Sequence, residues 1–148
     1  MIVDLAHINE RGFFEAIGTS SEPVIVSHAN ARSLCDHPRN LTDEQLKELA
    51  ESRGVIGLSF YPAFISPGEA TMENLLDHFV HIAETIGSDH LGFGSDFDGI
   101  NKVLPGLEDV TGLPRLIEGL LRRGFSRKEV KKIAGGNFLQ ILKKILPS

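Results

Sequence analysis

The chain has 148 residues, 41% hydrophobic and 24% charged, enough for one hydrophobic core and one ordinary domain. A formal net charge of −5, with no basic block beyond short pairs such as Lys131-Lys132, excludes the electrostatic footprint of a nucleic-acid binder. One cysteine, Cys35, excludes an internal disulfide framework, and no apolar stretch approaches the roughly 20 residues of a membrane span. The apolar start is also too short for a signal peptide, so the expected setting is cytoplasmic.

In chain order, residues 2–6 (IVDLA) form the first β-branched run and read as a strand that ends at His7. An amphipathic helix is expected over 10–17, and a second strand over 23–27 (PVIVS), ending at His28. The loop 36–41 (DHPRNL) carries His37 and Arg39 and leads into a helix over 43–52. That helix starts with a capping box, in which Thr42 and Gln45 satisfy otherwise orphaned N–H groups. A third strand follows over 55–60 (VIGLSF), then a helix over 72–86 with Leu75, Leu76, Phe79, Ile82, Ala83 and Ile86 at helical spacing. The fourth strand spans 90–95 (HLGFGS) and delivers Asp96. Helices over 113–123, 127–134 and 137–145 complete the chain, the second opened by a Ser126/Glu129 capping box. Gly54 and Gly87 stand where two of the helices should stop.

Strands alternating with helices predict an α/β fold with parallel strands and right-handed crossovers. Two closures fit: an open doubly wound sheet, or a piece of a (β/α)8 barrel. A barrel takes about 250 residues and eight strands, so four βα units are close to half of one. In both closures ligands gather at strand C-termini. Here the first, second and fourth strands end in His7, His28 and Asp96.

Neutral imidazole is a preferred zinc ligand, and two histidines on adjacent strand ends can meet at one ion. A complete site still needs a carboxylate or third imidazole, and spacing alone does not name it. Gly92, Gly94 and Asp96 share a strand face by the period of two, which would let a substrate or metal approach the backbone beneath the carboxylate. Asp96 could act as a general base or proton shuttle, or cap a turn. Arg39 could pair with a substrate carboxylate, or remain a solvated arginine. His78 and His81, at i and i+3, read as helix-surface or partly packed residues, and Cys35 as a small buried hydrophobe. The run from Asp96 to Gly99 does not continue as a calcium loop, since Ile100 and Leu107 hold its fifth and twelfth positions.

At these residues the sequence resembles the membrane (renal) dipeptidase family, a branch of the amidohydrolase-like metallohydrolases. The matching pieces are VDLAH (3–7), VIVSH (24–28), Ser33-Leu34-Cys35 with Pro38-Arg39-Asn40, GVIGLSFY (54–61), DHFVHI (77–82), GFGSDFDG (92–99), GLEDV (106–110) and Gly135-Gly136-Asn137. The resemblance implies the C-terminal half of a (β/α)8 barrel, a single partial domain over 1–148, and hydrolysis of dipeptides at a binuclear zinc centre. It implies that His7 and His28 hold one zinc, that Arg39 receives the substrate carboxylate, and that Asp96 transfers protons.

The family's His-x-Asp pair and bridging glutamate belong to an N-terminal half, and no His-x-Asp occurs in this sequence. The chain by itself is thus expected to hold at most one zinc, weakly, and to lack binuclear activation. Three readings follow: a fragment inactive alone, a subunit of a split dipeptidase completed by another chain, or a non-catalytic half-barrel that self-associates. Open strand edges favour pairing with another chain in all three.

Overall fold

A parallel sheet organises the computed structural model, which describes residues 1–146. Its strands β1 (Ile25–Ala29), β2 (Val55–Leu58) and β3 (Leu91–Phe93) neighbour one another in chain order, with Ile25 opposite Val55 and Ile56 opposite Leu91. Around them run α1 (Glu10–Thr19), α2 (Asp43–Glu51), α3 (Pro62–Ile65), α4 (Met72–Ile86), α5 (Leu113–Arg122), α6 (Arg127–Lys131) and α7 (Asn137–Ile145). Successive helices pack together, α1 on α2, α2 on α4 and α4 on α5, as crossovers between adjacent parallel strands require. The α/β class and the parallel strand direction expected from the sequence are both present.

The first expected strand is reduced to a single parallel bridge, Asp4 opposite Ile25. Its two backbone bonds run from the Ile25 N–H to the Val3 carbonyl (2.9 Å) and from the Leu5 N–H to the Ile25 carbonyl (2.8 Å). The ladder stops because the Asp4 side chain takes the next rung: its Oδ1 accepts from the Ser27 N–H at 3.0 Å and from the Ala6 N–H at 3.0 Å. The Leu5 carbonyl turns to the Ile8 N–H (3.3 Å), and His7 leaves the sheet with φ 69°.

The other strands are shorter than expected or displaced. The second begins and ends two residues later, which puts His28 inside β1, and His90 lies in a 3-10 turn before β3. Helix α4 matches its expected limits, the Thr42 and Ser126 capping boxes form, and a third box joins Thr71 to Asn74. The helix expected over 127–134 ends at Lys131 and passes into a π-turn, Lys132–Gly136, where Gly135 takes φ 151°. Gly87 caps α4 at φ 87°, but after α2 the left-handed residue is Arg53. Gly54 is needed for space there, since a Cβ would lie 2.6 Å from the Val24 carbonyl oxygen.

Gly92 and Gly94 make room for protein, which corrects the expectation that they open the backbone to a ligand. A Cβ on Gly92 would enter the Phe138 ring of α7, and one on Gly94 would strike the carbonyl oxygens of Ser27 and Gly57. The core gathers Phe13, Leu46, Leu49, Ile56, Leu58, Phe60, Leu76 and Phe79, and β2 is buried at every position. Asn137, itself buried, donates to the Ser88 and Leu91 carbonyls and so ties the start of α7 to β3. No helix among the described residues is long and apolar enough to cross a membrane.

Candidate metal and substrate site

His7 arrives from the turn that ends the Asp4 bridge, and His28 from β1 beside it. Their Nε2 atoms lie 2.9 Å apart with the rings inclined at 66°. A tetrahedral zinc with Zn–N bonds of about 2.0–2.1 Å holds two nitrogens roughly 3.3 Å apart, so a small opening of the pair suits one ion. The donors fit a metal, since both are imidazoles and meet at one point. Among the described residues no group of three or more His, Cys, Asp or Glu side chains converges as a metal site.

Arg39 and Asp96 complete the cluster. Arg39 Nη2 donates toward His28 Nε2 at 3.2 Å, and the guanidinium rests over the Phe64 ring, 5.4 Å from its centre. The Arg39 N–H donates to His37 Nδ1 (3.1 Å), whose ring also packs on Phe64, so His37 supports the loop that carries the arginine. Asp96 Oδ2 lies 3.9 Å from His28 Nε2, with both side chains about four-fifths buried or a little less, at 25% and 18% exposure. Asp96 also forms a turn, its carbonyl accepting from the Gly99 N–H at 3.0 Å. Asp96 thus occupies a turn while its carboxylate lies beside His28.

Burial lowers the His28 imidazole below the usual histidine range; Asp96 opposes this, while Arg39 and His7 push the same way as burial. The ring is consequently held neutral, the form that binds metal. Burial also lowers Arg39, against the pull of Asp96. His7, Arg39, Tyr61, Phe64, Asp96 and Asn101 help to line an open pocket of about 350 Å³.

The other histidines do not join this cluster. His78, expected on the surface or partly packed, is 1% exposed, because its ring nitrogens serve backbone groups of two neighbouring segments: Nδ1 accepts from the Ala31 N–H and Nε2–H donates to the Ile65 carbonyl at the end of α3. His81 Nε2 faces Asp43 Oδ1 at 2.9 Å. Cys35 is buried and free, and burial raises its thiol. Sequence reasoning missed Asp4, Ser27, Tyr61 and Asn101. The position of Tyr61 just beyond the third apolar run was the available signal for one of them; Asn101 lies in a loop with no such marker.

The family model described as membrane dipeptidase (peptidase family M19) matches residues 1–146. Dipeptidase tcpJ of Claviceps purpurea is 44% identical over 147 residues, covering 98% of this chain and 35% of that protein. An uncharacterized dipeptidase of Schizosaccharomyces pombe is 44% identical over 146 residues, covering 97% of this chain and 36% of that protein. The crystal structure of a metallo peptidase from Rhodobacter sphaeroides, liganded with a phosphinate mimic of the dipeptide L-Ala-D-Ala, has a TM-score of 0.90 at 36% identity and covers 97% of this chain and 42% of its own. The chain thus spans little more than a third of the length of these two curated relatives. Matched along nearly its whole described length, the chain belongs to the membrane dipeptidase family, peptidase family M19.

Proposed function

We propose that this chain is the C-terminal half of a (β/α)8 barrel and contributes one side of a zinc dipeptidase site whose other ligands lie on an N-terminal half. The observation that carries this reading is the convergence of His7 and His28 at 2.9 Å with Arg39 and Asp96 against the same imidazole. His7 and His28 hold the metal. Bound there, zinc supplies Lewis-acid chemistry at the scissile carbonyl. Arg39 pairs with the free carboxylate of the dipeptide and orients it, using the paired N–H groups that make a guanidinium a good carboxylate receptor. Asp96 carries a proton between the attacked centre and the departing amine.

The donor count supports a second half: two imidazoles, with one carboxylate 3.9 Å from His28 and no group of three or more donors among the described residues, leave a zinc site short of ligands. The edge also invites a partner. The Asp4 segment pairs on one side only, and Met1, Val3 and Ile8 beside it are exposed apolar side chains. This favours completion by further polypeptide over a solitary monomer.

Reconstitution with an N-terminal half carrying the missing ligands tests the reading. This chain alone should take up zinc only weakly, while tight zinc binding and hydrolysis of simple dipeptides should appear only in the combined protein. Undiminished hydrolysis by a combined protein carrying His28→Ala would overturn it, as would a combined protein that holds no zinc.

A further inference from the structure

His28 has a fixed tautomer. Arg39 Nη2 lies 3.2 Å from His28 Nε2, and a guanidinium has only donors to offer. His28 Nε2 must therefore present its lone pair, which places the proton of the neutral ring on Nδ1. The neighbour of Nδ1 is the Ser27 hydroxyl, 2.9 Å away. That oxygen accepts from Nδ1–H and needs an acceptor for its own proton.

Asp4 lies beside Ser27. Its Oδ1 already receives the Ser27 N–H at 3.0 Å and the Ala6 N–H at 3.0 Å, which anchors the carboxylate beside Ser27. Burial raises the Asp4 carboxyl, but hydrogen bonds, led by the Ser27 hydroxyl, outweigh it and bring the group below its ordinary value. The carboxylate is thus ionised and accepts only. We propose that Ser27 is a positioning residue which, as a hydroxyl–imidazole relay seated by the backbone bond to Asp4, locks His28 in the Nδ1–H tautomer and aims its Nε2 lone pair at the point it shares with His7.

The inference rests on the metal-holding reading of His7 and His28. Ligating histidines commonly donate their second N–H to a carboxylate, which orients the ring and raises its basicity. Here the partner of the second N–H is the Ser27 hydroxyl, and the nearby Asp4 Oδ1 is occupied by backbone N–H groups.

Nitrogen-15 correlation spectra of the metal-free chain read the tautomer directly, and zinc titration gives the second readout. Expected are a protonated Nδ1 and a bare Nε2 on His28. Ser27→Ala should shift the ring toward the Nε2–H form and weaken zinc binding about 10–100-fold. Ser27→Thr, which restores the hydroxyl, should retain both properties. A proton on His28 Nε2 in the unaltered chain overturns the relay even if Ser27→Ala fails to fold. So does a folded Ser27→Ala chain that keeps both the tautomer and the zinc affinity. The expected tautomer without zinc uptake supports the relay and refutes the metal-holding reading instead.

Discussion

His7 and Asp96 reach the site from different segments, one after the Asp4 bridge and one after β3, yet share one backbone state, the left-handed region, at φ 69° and 61°. Arg53 is the one other non-glycine residue with positive φ among the described residues. Such conformations cost free energy and persist where the surrounding structure imposes them. Both residues leave the sheet through this bend, which turns their side chains toward the pocket.

Asp96→Asn separates the two roles of this residue. Asparagine tolerates the left-handed region and keeps the turn to Gly99, so thermal stability should be unchanged. In the combined enzyme kcat should fall by about 10²–10⁴, the range of acid–base catalysis, with zinc content preserved. Loss of zinc along with turnover would instead make Asp96 a metal ligand.

On the proposed reading, Arg39 would compete with metal for the His28 lone pair. Replacing it by methionine removes a cation 3.2 Å from Nε2, so zinc affinity should rise roughly tenfold. Dipeptide KM should rise as well, because the carboxylate loses its partner. An Arg39→Met protein with weaker zinc binding would mean that the guanidinium supports the metal site.

Acid sensitivity should trace largely to His78. Burial lowers its pKa, and the neutral ring is what accepts the Ala31 N–H at 3.1 Å. An unfolded histidine protonates near about pH 6.5 and the folded one only below that, so unfolding takes up the proton. Its stability contribution is complete above about pH 6.5 and is lost as pH falls through the lower folded value. His28 and His37, also lowered first by burial, add to the same slope. Urea midpoints between about pH 7 and 5 should therefore decline, and less steeply in His78→Gln. An equal slope in the variant would assign the effect elsewhere.

Gly92→Ala tests the packing of α7 on β3. The added methyl would lie 2.3 Å from a Phe138 ring carbon, so overpacking should cost about 1–3 kcal/mol in denaturant unfolding. Phe138→Leu in the same chain should recover part of it. No loss in the single variant would mean that α7 moves freely against the strand.

Much of this architecture was legible because helices and buried strands announce themselves by period. Residues 72–86 carry an apolar stripe at helical spacing, and α4 has those limits; Thr42 and Gln45 announce the start of α2 and form its capping box. His7, His28, Arg39 and Asp96 were legible as strand-end or rim residues, and they do cluster. Their supports were not. Asp4 alternates correctly within an apolar run, so nothing in its pattern reveals a side chain that replaces a rung of the sheet. Gly92 and Gly94 look alike in sequence whether they face a ligand or Phe138. The loop after β3 carries Asn101 without any periodicity to place it.

The Asp4 bridge has a mechanical consequence. With two backbone bonds to β1, the first segment is lightly fastened, yet it carries one of the two imidazoles. An ion seated between His7 and His28 would act as a clasp, closing the loop that contains α1 and restricting the unfolded chain. Docking of the N-terminal segment and occupancy of the site would then be one equilibrium, with thermal stability rising as metal is added.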